Sequence, residues 1–193
     1  MFRGLFCRCI FYNMQKLNVT FNKYVVYKVG CKNAIILPDL YHTKVVTREN
    51  LNDCLSFRDT AVVNRFETYI NEGQQGLYMY GPDGECIAHG WVILNDTAKS
   101  KVVNGYFKMI PYSAFIHFCN IHPDFRGKGL YKILLRKIYE CIPNNLDIWI
   151  DTGINNIPAR KGIEASGAIE KYKITTFRIN SRVIYRYKST IKN

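Results

Sequence analysis

His122-Pro123-Asp124-Phe125-Arg126-Gly127-Lys128-Gly129-Leu130-Tyr131 is the stretch that decides the reading of this chain. Upstream, residues 106–121 are rich in aromatics and isoleucine and read as a long strand, or as a strand with an irregular entry. Downstream, Leu130, Ile133, Leu134, Ile138 and Ile142 form an apolar stripe at helical spacing. A strand therefore runs into a glycine-containing loop that opens a helix. Gly127 and Gly129 let the backbone turn tightly and approach a ligand closely. The first amides of the helix have no internal partners, and the helix dipole adds positive potential at the same place. Arg126 and Lys128 contribute further charge. This construction suits a pyrophosphate, while a glycine-rich turn that merely starts a helix fits the spacing equally well. The loop is neither the G-x-x-x-x-G-K-[ST] phosphate loop nor the three-glycine dinucleotide fingerprint.

Working outward, Pro143-Asn144-Asn145 stops the helix and residues 146–150 read as a buried strand. The unit 115–150 is then a right-handed parallel crossover. Residues 155–166 read as a second helix, with Gly167 well placed to terminate it. Two further strands, 168–177 and 178–188, form a hairpin around Asn180-Ser181. Toward the N-terminus, residues 22–29 are dense in tyrosine and valine and read as a first strand. Segments 47–55 and 60–71 have helical spacing. Residues 76–80 and 86–94 form a hairpin across the turn signal Gly81-Pro82-Asp83-Gly84, and the polar stretch 95–104 reads as a loop. This element order is an α/β layout with a mixed sheet.

With 193 residues, 48% of them apolar or aromatic, the chain can build one domain around one core. No apolar run approaches the ~20 residues of a membrane-spanning helix. The 27 Lys and Arg against 15 Asp and Glu leave a formal net charge of +12. That excess is either general solvation or attraction to an anion. It forms no Lys/Arg block, so nucleic acid is a weak option. Seven irregularly spaced cysteines read as reduced thiols of a cytoplasmic protein, and the four histidines lie far from any paired cysteine motif, which disfavours a metal site. Residues 1–13 differ in composition from the strand pattern that begins near Val19. They read as a leader or disordered start, with a poor signal peptide and a membrane-surface anchor as alternatives; residues 14–193 then form the single domain.

Arg126-Gly127-Lys128-Gly129, preceded by His-Pro, resembles the acyl-CoA loop [QR]-x-x-G-x-[GA] of the GNAT superfamily. Arg126 and Gly129 fill its first two fixed positions, and Tyr131 stands where Gly or Ala is usual. Asn156-Ile157-Pro158-Ala159 fits that family's N-x-x-A segment, and Glu164-Ala165-Ser166-Gly167 fits the end of the helix, with Ala168 in place of the usual Phe. The resemblance covers the C-terminal half. It implies a mixed, mostly antiparallel twisted sheet of about seven strands flanked by helices, with a splayed strand pair forming the acyl-CoA slot.

By the same resemblance the co-substrate is acetyl-CoA. Its phosphates would lie on Arg126, Gly127, Lys128, Gly129, Leu130 and Tyr131. Amides near Asn120 and Ile121 would bind the pantetheine arm or polarise the thioester carbonyl. Asn156 would contact the arm from the other side; a helix cap is the equally good alternative. The implied reaction is direct attack of an amine on the thioester. Residues 106–121 hold no Asp or Glu, and His117 is the strong titratable base there. At an ordinary pKa of ~6.5 it suits deprotonation of the amine near neutral pH, with core packing as the alternative role. The family's usual Tyr acid is replaced by Ile163, leaving Tyr131 or Tyr172 as substitutes if geometry allows. Cys119 reads as packing rather than as a covalent nucleophile. The expected acceptor is a primary amine on a small molecule such as an amino sugar, amino acid, polyamine or antibiotic. It would sit between the N-terminal helices and the last hairpin. A non-catalytic acyl-CoA-binding or regulatory module is the alternative. The oligomeric state is open, a homodimer included.

Overall fold

The computed structural model describes residues 18–30 and 40–190, so the expectation of a leader over residues 1–13 lies outside the described residues. Eight strands form one sheet. In chain order they are β1 (Val19–Val29), β2 (His42–Val45), β3 (Gln75–Tyr80), β4 (Cys86–Asn95), β7 (Ser113–Ile121), β8 (Asp147–Gly153), β9 (Ala168–Ile179) and β10 (Arg182–Thr190). Two short strands, β5 (Lys101–Val103) and β6 (Phe107–Met109), form a separate hairpin. The spatial order of the main sheet is β10-β9-β1-β8-β7-β4-β3-β2. Every neighbouring pair is antiparallel except β7 and β8, which are the parallel ends of the crossover.

Three apolar clusters hold the layers together. On one face lie α2 (Leu130–Cys141) and α3 (Ile157–Ala165). Leu134, Ile138 and Ile163 from these helices pack with Val25, Tyr27, Ile116 and Ile150 of the sheet. On the other face α1 (Thr60–Asn71) and a 3-10 turn (Leu51–Ser56) cover β3 and β4 through Phe66, Cys54, Tyr78 and Trp91. The β5–β6 hairpin covers the same face further along, where Phe107 and Met109 meet Val26, Ile93 and Phe115. Asp59 caps α1 by accepting from the Val62 amide at 2.8 Å, satisfying one of the helix's orphan donors.

The first predicted strand forms, and it lies inside the sheet. β1 sits between β8 and β9, which accounts for the complete burial of Val25, Val26 and Tyr27. Other expectations change. Segment 47–55 is not an α-helix. The Asn50 side chain accepts from Thr47 N at 2.7 Å and donates to Val45 O at 2.9 Å, closing a loop that leads into the 3-10 turn. The stretch 106–121 is not one long strand but takes the alternative form, a strand with an irregular entry: β6 comes first, and β7 starts at Ser113. Asn95 Nδ2 and Ser113 Oγ both donate to Ile110 O, and Tyr112 takes a left-handed φ of 51°, which breaks the run. The predicted loop 95–104 contains β5, and β2 forms where the sequence pattern indicates no strand. The hairpin turn at Asn180-Ser181 forms as expected, with φ of 48° and 67° at its two central residues. Among the described cysteines Cys54, Cys86, Cys119 and Cys141 are free thiols. No helix among the described residues is long and apolar enough to cross a membrane.

One irregularity shapes the centre of the sheet. Trp91 pairs with His117 and His89 with Asn120, so Phe118 and Cys119 on β7 oppose Gly90 alone on β4. This is a β-bulge. Gly90 makes room for it: an added Cβ would lie 2.5 Å from Ile138 Cδ1 and 2.9 Å from Cys119 Sγ. Gly90→Ala should therefore lower stability by about 1–3 kcal/mol through overpacking. Denaturant unfolding checks this, and an unchanged midpoint would show that the bulge tolerates a Cβ beneath it.

Candidate active site

β7 and β8 pair only over Ser113↔Asp147 to Ile116↔Ile150. Beyond that point both strands continue, β7 to Ile121 and β8 to Gly153, with no further pair between them. The bulge falls at the separation. Phe118 has a φ of 51°, a conformation that costs a non-glycine residue about 1–3 kcal/mol. His89 Nδ1 sits 2.9 Å from the Phe118 carbonyl oxygen and donates to it. Burial lowers the His89 pKa to about 3, so a neutral imidazole with the proton on Nδ1 anchors the bulge. The separated strands open a cleft of about 900 Å³ between β7, β8, the loop after β7 and the starts of α2 and α3.

The glycine loop closes one end of this cleft. A short 3-10 turn (Pro123–Phe125) leads from β7 into it, and Gly127 and Gly129 take left-handed φ values of 77° and 74°. Gly129 is the N-cap of α2 and brings no side-chain cap, so the first helical amides keep their donors free of one. An added Cβ on Gly127 would meet nothing within 4 Å, which leaves open space in front of that backbone. Arg126 does more than supply charge. Its Nε donates to Ile121 O at 3.1 Å and its Nη2 to Asn120 Oδ1 at 3.4 Å, tying the loop to the end of β7. Asn120, Ile121, Arg126, Gly127, Gly129, Leu130, Tyr131 and Asn156 all line the cleft. Lys128 does not; its ammonium lies over the Phe125 ring at 4.6 Å. Asn156 acts as the N-cap of α3, accepting from Ala159 N at 3.3 Å.

His117 also lines the cleft. Its Nε2 is 2.7 Å from Gln74 Oε1, its ring stacks on Phe115, and Tyr69 meets it edge-on. Burial lowers its pKa to about 4. The expectation of an ordinary value near ~6.5 is thus corrected: the imidazole is neutral throughout the physiological range.

The residue that sequence reasoning misses is Asp151. Register places it: Phe115 pairs with Trp149, and two residues further on His117 and Asp151 remain on that same face, one on each lip of the split. Tyr106 donates to Asp151 Oδ2 at 2.7 Å and is itself stacked on Tyr24 at 4.3 Å. Burial pushes the Asp151 pKa up to about 7, against a lowering by the Tyr106 hydrogen bond. A signal exists in the sequence, because Trp149 and Asp151 alternate in step on a buried strand; ending that strand at residue 150 leaves the carboxylate out.

Ile163 is fully buried in the core and is no part of the cleft. Of the two substitute phenols, Tyr131 lines the cleft. It lies against Gly162, where an added Cβ would come within 2.5 Å of Tyr131 Cδ1. Tyr172 packs instead on Trp149, under the Lys188 ammonium.

No curated protein matches the chain. Solved structures do. A GNAT-family acetyltransferase from Colwellia psychrerythraea aligns at 18% identity and a TM-score of 0.59, over 82% of this chain and 56% of that one. This chain therefore spans little more than half of that protein's length. A GNAT-family acetyltransferase from Novosphingobium aromaticivorans aligns at 15% identity and 0.58, over 90% and 68%. The aminoglycoside 6'-N-acetyltransferase AAC(6')-Ih of Acinetobacter baumannii aligns at 17% and 0.50, over 79% and 99%. At such identities the likeness is one of fold. The sequence pattern of the acetyltransferase (GNAT) family matches residues 44–167, from within β2 to the residue before β9. The chain belongs to the GNAT acetyltransferase family.

Proposed function

We propose that this protein is an N-acetyltransferase that moves the acetyl group of acetyl-CoA to a primary amine of a small molecule by direct attack. The observation that carries the reading is the split between β7 and β8, which opens beside the uncapped start of α2. An amide-bearing chain laid in such a split can take up hydrogen bonds that the strands no longer give each other. The left-handed Gly127 and Gly129 present backbone to a pyrophosphate, and Arg126 holds that loop in place. The residues present therefore fit acetyl-CoA, which when bound supplies the acetyl thioester.

The chain's own groups divide the remaining work. Amides around Asn120 and Ile121, just past the bulge, would hold the arm or polarise the carbonyl. Asn156 borders the arm while capping α3. Tyr131 supplies the phenol that position 163 lacks, and its hydroxyl is the proton source for the departing sulfur. Burial raises its pKa well above the usual tyrosine value, so it stays protonated until that moment. A phenol in the cleft favours catalysis over the non-catalytic binding module. His117 faces the acceptor side as a neutral imidazole that can accept a hydrogen bond from the incoming amine at Nδ1 while Nε2 donates to Gln74. AAC(6')-Iy, a protein of the same fold at a TM-score of 0.50, was captured with the bisubstrate analogue CoA-S-monomethyl-acetylneamine. Amino sugars are therefore a sensible start to an acceptor panel, followed by polyamines and amino acids.

Thiol release from acetyl-CoA across that panel tests the reading, and release no faster than without acceptor would defeat it. Gly127→Glu should abolish acetyl-CoA binding by placing negative charge at the phosphates. The folded protein should persist, since a Cβ there meets open space and the left-handed backbone costs only about 1–2 kcal/mol. Calorimetry on the folded variant decides, and unchanged affinity rules the loop out. Tyr131→Phe should keep acetyl-CoA affinity and lower turnover about 100-fold, the scale of a lost general acid. Wild-type turnover in that variant would leave the sulfur to be protonated by water.

A further inference from the structure

We propose that Asp151, held by the Tyr106 hydroxyl on the lip of the split opposite His117, is the catalytic residue that takes the proton from the incoming ammonium. The inference rests on the acetyl-transfer reading and names the base within it. Asp151 lines the cleft and comes directly after Ile150, the last residue of β8 paired to β7. Register puts it on the sheet face shared with His117, where Tyr106 of the β5–β6 hairpin bonds to it.

The groups around Asp151 come from every neighbouring element. Tyr106 bonds to it from the β5–β6 hairpin, Tyr172 of β9 and Tyr131 of α2 lie near enough to feel its charge, and His117 stands on the opposite lip of the split. Tyr24 of β1 and Arg178 of β9 act on Tyr106 rather than on Asp151, by stacking at 4.3 Å and by lying over its ring at 5.5 Å. Among the described residues no Lys or Arg forms an ion pair with Asp151. A partly buried carboxylate with phenols around it and no cation on it is left to attract a cationic substrate. The two titratable groups on the lips have been pushed in opposite directions, to about 4 for His117 and about 7 for Asp151. A base near neutrality is the better proton acceptor at physiological pH.

The step balances. The ammonium nitrogen gives one proton to the Asp151 carboxylate, and the freed lone pair forms the C–N bond to the thioester carbonyl carbon. The C–S bond breaks with its electron pair going to sulfur, and the second nitrogen proton replaces the one that Tyr131 delivers there. The products are the amide, the thiol and a protonated Asp151 that returns its proton to solvent. Tyr106 is a positioning residue: it aims the carboxylate and, by donating to the ionised form, holds its pKa down.

The test is the pH–rate profile of four proteins on one accepted amine, with acetyl-CoA affinity measured alongside. Wild type should show an acidic limb near pH 7. Asp151→Asn should keep acetyl-CoA affinity, lose turnover by about 100-fold or more and lose the limb. Tyr106→Phe should move the limb to higher pH, since its hydroxyl lowers the Asp151 pKa; a merely structural loss would depress the rate at all pH values alike. His117→Gln should leave the limb in place. Melting temperature gives a readout free of turnover. A carboxyl whose folded pKa lies above its unfolded one contributes stability below the unfolded pKa of ~3.9, and that contribution is lost as pH rises through about 7. Asp151→Asn should abolish that loss. An Asp151→Asn protein with wild-type turnover and limb, or with an unaltered pH–stability curve, overturns the assignment alone. A wild type that binds acetyl-CoA but acetylates no amine overturns the catalytic reading and this base with it.

Discussion

A β-strand that stops pairing with its neighbour while remaining extended must find other partners for its backbone. That constraint organises this protein. β7 keeps its ladder with β4 throughout, so it cannot simply curl away. The extra residue at Phe118–Cys119 turns it instead, and β8 stays with β1 on its far side. Each strand thus has one secure edge and one free edge, and the two free edges face each other across the cleft. Gly90 beneath the bulge and His89 bonded to the Phe118 carbonyl are the two devices on β4 that make this possible.

The electrostatics arise from the same geometry. Where the strands part, side chains on the shared face leave the ladder but remain under α1 and the β5–β6 hairpin. His117 and Asp151 are both desolvated there, and desolvation acts on them with opposite sign: it removes the charge from imidazole and from carboxylate alike, so one pKa falls and the other rises. Solvation at the glycine loop is the reverse. Arg126, Gly127, Lys128 and Gly129 are all exposed, which suits a highly charged phosphate group that keeps part of its water.

Much of this was legible because it is local. The loop at 126–129, the turn at Gly81-Pro82-Asp83-Gly84 and the hairpin at Asn180-Ser181 are each specified by residues a few positions apart. What was hidden depends on partners distant in sequence. Phe118 carries no turn signal, since an aromatic residue ordinarily favours a regular strand; the bulge exists only through its register with β4. Asp151 needs Tyr106 to hold it, forty-five residues away. Asn95 splits the expected strand over 106–121 through a bond to Ile110 that no local pattern announces. The depressed pKa of His117 comes from packing by Phe115 and Tyr69, and only the assembled fold brings Tyr69 there.

The place of β1 bears on how the molecule assembles. It is laid down before any other described element, yet its partners are β8 and β9, with Tyr24 against Gly153 and Val19 against Ile179. Both sides of this strand must wait for chain made more than a hundred residues later. Contacts so remote in sequence close slowly, because the loop entropy is lost before the ladder returns anything. During synthesis an apolar run containing Val25, Val26 and Tyr27 would therefore remain without its ladder while β2 to β7 emerge, and its docking between β8 and β9 would come among the last events of folding. A late-arriving central strand makes the second half of the sheet the slow part of its assembly, because its ladder must be closed across most of the chain.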